Sequence, residues 1–276
     1  MDIFGICIKP LQKIELFEDI SAFSSQKILF TPNPEILLRV KNDYWFWELL
    51  QKADYLTSDG IGLYVAYQIL DSRLPFFLNI LALPYYFFNL FFRRYYLYKI
   101  YWERITWNDL TKELLFWCEK QRVPIIVSDL YNPTDLNKVS AQNIFLEKMR
   151  EVYPKLEIDF FIWNTQRKEQ ILEKMKNSKG KILFSTLWMK AQEENVLEIM
   201  KNCPHIKLGL WVGSSFDSIT GLQKRAPKLW RDIGLEWLYR LVFWPQKLKR
   251  LKRLWNAIFV FIYEIYKEKY QIPNTK

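Results

Sequence analysis

Residues 208–221, LGLWVGSSFDSITG, constrain this chain more than any other stretch. Leu208 to Val212 is an apolar run of strand length. Gly213-Ser214-Ser215 follows as a turn of small residues, through which a backbone or a ligand can come close. Phe216 then opens a short helix, with Asp217 or Ser218 as its N-cap. A strand ending in a glycine turn beneath a helix start is how open α/β sheets hold anionic groups. The same unit also serves as a plain packing device.

The rest of the chain repeats the alternation. Residues 3–8, 27–31, 53–57, 123–127, 156–161 and 181–185 read as strands, separated by helical spacing at 14–23, 36–52, 63–70, 109–121, 135–153 and 165–177. This order predicts an α/β fold, a Rossmann-like and mostly parallel sheet with flanking helices. Thr31, Asn33 and Asp59 then fall at the C-terminal ends of neighbouring strands, where open sheets bind ligands. By residue type alone Asp59, standing before Gly60, reads as an N-cap or turn aspartate.

Beyond the turn come Lys224-Arg225-Ala226-Pro227, Gly234-Leu235-Glu236-Trp237-Leu238-Tyr239-Arg240-Leu241 and Pro245. Together with Val212 to Gly221 they resemble the C-terminal signature of the WecG/TagA/CpsF glycosyltransferases, VGxxFDxxxGxxxRAPxxxxxxGLEWxxRLxxxP. Thr31-x-Asn33 and Ala53-Asp54 through Asp59-Gly60-x-Gly62 resemble that family's TxN and ADxxxxDGxG motifs. Glu103-Arg104-Ile105-Thr106 is similar to its ERxTG, with Trp107 in place of glycine. Two departures stand out. Residues 128–133 (SDLYNP) replace a glycine pair, and Gln192-Glu193 alone survive of GxPxQE. The motifs leave residues 73–102 and about the last fifteen outside the resemblance.

The resemblance implies an inverting, metal-independent transferase with no cofactor. Asp59 would be the catalytic base, with Thr31 and Asn33 lining its pocket. Arg104, Gln192 and Glu193 would hold the donor sugar or its phosphates. Gly213, Phe216 and Asp217 carry the turn motif, and Arg225, Arg240 and Arg250 would close the site from the C-terminal side. The chemistry agrees: displacement at an anomeric carbon needs a carboxylate to take the acceptor's proton, and a leaving UDP needs positive charge or dipoles. The chain carries no DxD motif for a metal ion. The donor is expected to be a UDP sugar of the N-acetylmannosamine type. The acceptor is expected to be a polyprenyl-diphosphate-linked sugar of envelope polysaccharide or teichoic-acid-type glycan synthesis. A catalytically silent partner of envelope enzymes is the alternative from another class, and a nucleic-acid binder a third. Without the resemblance, Arg104 is an ion-pair partner for Glu103 or Asp109, and Gln192-Glu193 is the solvated first turn of a helix.

Residues 73–102 (RLPFFLNILALPYYFFNLFFRRYYLYKIYW) hold a charge-free run from Leu74 to Phe92, dense in aromatics. That run has 19 residues, the lower end of what crosses a bilayer, and its prolines and asparagines weaken it as a span. One crossing would also separate Asp59 from the C-terminal motifs. An interfacial or re-entrant element with a Tyr/Trp belt is therefore expected, against a plain packed hairpin. Lys247, Lys249, Arg250, Lys252 and Arg253 precede an apolar helix at 254–266, which suits an anionic membrane face, as does the net charge of +10. The expected division is a catalytic domain (1–72 and 103–222), a membrane-interacting insertion (73–102) and a docking, site-closing appendage (223–276). The expected location is the cytoplasmic face of the cell membrane, peripheral or monotopic, with possible homo-oligomers. Cys7, Cys118 and Cys203 are scattered and His205 is the single histidine, so neither a disulfide framework nor a zinc site is indicated. The N-terminus shows no signal-peptide pattern.

Overall fold

The computed structural model describes residues 1–8, 13–101, 104–130, 137–163, 167–187, 189–213, 215–221, 224–232, 235–243 and 247–272. Its strands are β1 (Asp2–Ile3), β2 (Ile6–Cys7), β3 (Lys27–Phe30), β4 (Tyr55–Leu56), β5 (Ile125–Leu130), β6 (Ile158–Trp163), β7 (Ile182–Ser185) and β8 (Leu208–Trp211). The last six form one sheet in the order β4-β3-β8-β7-β5-β6, with every neighbouring pair parallel. The α/β, Rossmann-like fold read from the sequence is the fold adopted.

The central strands are mostly apolar because helices cover both faces of the sheet. β7 and β8 are buried at every residue. Alternate side chains of one strand enter opposite cores, as period-two geometry demands. Phe30, Leu183 and Trp211 join one core, and Leu29, Phe184 and Leu210 the other. Gly209 lets the helix Ala191–Asn202 press onto β8, since a Cβ there would stand 2.8 Å from Val196 Cγ1.

Three local readings change. Residues 3–8 are a tight antiparallel hairpin rather than one strand, turning at Phe4 and Gly5 with φ of 55° and 73°. Residues 36–52 split into helices Pro34–Lys41 and Tyr44–Gln51, because the Asp43 side chain accepts from Phe46 N–H at 3.1 Å and starts a new helix. Ser128, Asp129 and Leu130, which lie beyond the strand expected at 123–127, continue β5 and pair in register with Phe161, Ile162 and Trp163.

The C-terminal chain runs as a helix Lys247–Trp255, a π-helical turn Asn256–Val260 and a helix Phe261–Tyr270. Phe261, Ile262, Ile265 and Tyr266 are buried in the first core, as are Tyr86, Leu90, Leu97 and Tyr101 from residues 73–102. Both additions thus share packing with the sheet.

Candidate active site

β3 and β4 end side by side. Phe30 pairs with Leu56, and Thr57 N–H donates to the Phe30 carbonyl at 3.0 Å. The two chains then turn together, with Asp59 N–H donating to the Pro32 carbonyl at 3.3 Å. Asn33 Oδ1 caps the helix Pro34–Lys41 by accepting from Ile36 N–H at 3.0 Å. Gly60 has φ of 98°, and a Cβ on Gly62 would stand 2.9 Å from Pro34 Cγ. Those two glycines let the Asp59 loop lie against Asn33 and Pro34. Thr31, Asn33 and Asp59 therefore come together at the carboxyl edge of the sheet.

The edge continues across β8, β7 and β5, where Trp211 pairs with Ser185 and Ser185 with Ser128. Trp211 stacks flat on Phe30, with ring centres 4.4 Å apart and planes at 7°. Trp107 closes on its other neighbourhood at 4.8 Å, so the tryptophan standing where the motif has glycine fills space beside Trp211. Thr31 Oγ1, Thr57 Oγ1, Ser128 Oγ, Asn195 Nδ2 and Trp211 Nε1 are buried along this edge without a hydrogen-bond partner among the described residues. Each unmade bond costs about 1–3 kcal/mol. Their concentration at one end of the sheet marks where a polar ligand would satisfy them.

Gln192 and Glu193 start the helix that follows β7, and both are buried. They are not a solvated first turn, because that turn packs beneath the sheet edge. Gln192 Nε2 donates to Glu193 Oε1 at 3.0 Å, leaving Glu193 Oε2 and Gln192 Oε1 unpartnered among the described residues. Burial pushes the Glu193 carboxyl up to about 7, against the hydrogen bonds that favour its ionised form.

The model of the Glycosyl transferase WecG/TagA/CpsF family matches residues 1–90 and 94–275. The chain is a member of that family. The match runs through most of 73–102 and almost to the C-terminus, both of which the motifs alone had left outside.

For a WecG/TagA/CpsF transferase the remaining motif residues divide into two groups. Arg225 is committed to structure, since Nη1 reaches Asp109 Oδ1 at 2.8 Å and Nη2 reaches Oδ2 at 3.3 Å. Phe216 lies in the second core, edge-on to Phe145 and Phe184. Gly213 has φ of 47° with open space where a Cβ would stand, while Asp217 and Ser218 lie inside the helix Ser215–Ile219 instead of capping it. Asp217 is exposed to the solvent side. Arg104 is part-exposed just before the helix Trp107–Gln121, and the carboxylate of Asp109, its ion-pair partner by residue type alone, is held by Arg225. The side chains of Arg240 and Arg250 lie outside the described residues. The basic helix nonetheless borders the Asp59 loop: Arg253 Nε reaches Glu35 Oε1 at 2.9 Å, and Gly62 faces the Ala257 carbonyl. Trp211, Thr57 and Asn195 escaped the sequence reading, because nothing local distinguishes them from core residues.

Proposed function

We propose that this protein transfers an N-acetylmannosamine-like sugar from a UDP donor to a polyprenyl-diphosphate-linked sugar, with inversion and without a metal ion. The convergence of Thr31, Asn33 and Asp59 at one loop pair carries the reading. Asp59 takes the proton of the acceptor hydroxyl as its oxygen bonds to the anomeric carbon. The bond to the UDP oxygen breaks, and the diphosphate leaves with the electron pair. Arg104 and the arginines of the C-terminal helices meet that developing charge. Buried polar atoms along β8, β7 and the Gln192-Glu193 turn orient the sugar.

The test is UDP release by the full chain given a short-tailed polyprenyl-diphosphate sugar and a panel of UDP sugars, for wild type and Asp59→Ala. Acceptor-dependent release lost in the variant supports the reading. Equal background release from both proteins overturns it. That result would favour a silent envelope partner, a reading motivated by Ser128–Leu130 running on as strand where relatives have a glycine pair.

A further inference from the structure

Residues 76–101 are built with their polarity reversed. Asn79 and Asn89, the amides of this segment, are 0% and 5% exposed, whereas Phe77 is 69% and Phe92 is 75% exposed. The inner face is a hydrogen-bonded network. Asn89 Nδ2 donates to Gln68 Oε1 at 2.8 Å, and Asn79 Nδ2 donates to the Tyr270 hydroxyl at 2.7 Å. Tyr86 donates its hydroxyl to Asn79 Oδ1 at 2.9 Å, and Tyr266 donates to the Asn79 carbonyl at 2.8 Å. A face turned to water would carry the amides, and its inner face would be apolar. Here Phe77, Leu81, Phe88 and Phe92 look outward, with the Phe88 and Phe92 rings stacked at 4.7 Å.

Charge narrows the occupant. Between Asp71 and Glu103 stand Arg73, Arg93, Arg94 and Lys99 and no carboxylate. Tyr85, Tyr95 and Tyr96, all more than half exposed, flank Arg93, as amphipathic rings do at headgroup depth. A second copy would bring the same uncompensated cations to the patch, whereas an anionic lipid surface neutralises them. A single straight span does not fit. Among the described residues no single helix is long and apolar enough to cross a membrane, and Phe76–Phe92 meets Tyr95–Tyr101 at 104°. The first arm rises roughly 25 Å against a hydrocarbon core of about 30 Å. Its inner side is also already packed on the helix Gly62–Asp71 through Gln68.

We infer that the outer face of residues 76–101 is a docking surface for an anionic bilayer, lying along the headgroup region while Asn79 and Asn89 lock its inner face to the protein. The inference stands apart from the sugar chemistry, and its test uses neither donor nor acceptor. In a Cys7→Ser background, Phe88→Cys would carry an environment-sensitive nitrobenzoxadiazole label. The full chain is mixed with phosphatidylcholine vesicles with or without phosphatidylglycerol. A blue-shifted, brightened label with the anionic vesicles is the expected result. A Phe77→Ser/Phe88→Ser/Phe92→Ser variant should keep its melting temperature and lose about tenfold or more in vesicle partitioning. A silent label on protein that still sediments with vesicles would overturn the inference, because docking would then lie elsewhere. Lipid-free self-association abolished by the triple variant would overturn it too, assigning the face to a second copy.

Discussion

Arg225 grips both carboxylate oxygens of Asp109, at 2.8 and 3.3 Å, and so ties the chain beyond β8 to the helix Trp107–Gln121. Burial would raise the Asp109 carboxyl, but hydrogen bonds from Arg225 and Thr106 outweigh it and hold the group down at about 2. A carboxylate depressed in the folded state stabilises above its unfolded value near 3.9, and that contribution is lost as pH falls toward 2. Asp109→Asn should therefore flatten the acid limb of the melting curve between about pH 5 and 2. Because Asp109 is part-exposed, the loss at neutral pH should be modest, about 1–2 kcal/mol, measured by urea unfolding.

Glu193 titrates with the opposite sign. Its folded value near 7 lies above the unfolded one near 4.3. Stability is full below about pH 4.3 and declines as pH rises toward 7, because the unfolded chain ionises this carboxyl while the folded chain keeps it protonated in an apolar setting. Glu193→Gln should remove this slope and raise stability at pH 8 by on the order of 2 kcal/mol. Unfolding midpoints from pH 4 to 8 would check it, and an unchanged slope would refute it.

Asp59→Asn should keep the loop's shape while removing the base. Transfer is expected to fall about 100-fold or more, with far-ultraviolet circular dichroism unchanged. A variant retaining most of its rate would dismiss Asp59 as the proton acceptor.

Gly62→Ala places a methyl 2.9 Å from Pro34 Cγ and 3.7 Å from the Ala257 carbonyl oxygen. The proline ring must shift, at a cost of about 1–3 kcal/mol, while the Ala257 distance is an ordinary van der Waals contact. Because the strain falls between the Asp59 loop and the start of the helix Pro34–Lys41, the transfer rate should drop with the melting temperature. Calorimetry alongside the UDP-release assay would show both.

Asn79→Ala strips four hydrogen bonds, two to Tyr266 and Tyr270 of the helix Phe261–Tyr270 and one each to Ile69 and Tyr86. Tyr86 loses its amide partner in a buried setting and Tyr270 in a part-buried one, so the variant should unfold about 2–3 kcal/mol more easily. Asn79→Leu, restoring bulk but no hydrogen bonds, should recover only part of this in thermal melts.

The sequence alone determined that this chain is a parallel α/β sheet, and it found the Thr31, Asn33 and Asp59 cluster. Strands buried on both faces must be short apolar runs, and glycine turns at their ends leave the backbone few alternatives. These are local geometries, written in neighbouring residues. Tertiary structure decided the rest. Arg225 meets a carboxylate 116 positions away, and Asn79 meets Tyr270 across 191. Gln192 and Glu193 carry the pattern of a solvated first turn and are buried only because their helix docks under the sheet edge. Periodicity reports which face of an element is apolar. What that face meets is fixed by packing between distant segments, which no local pattern encodes.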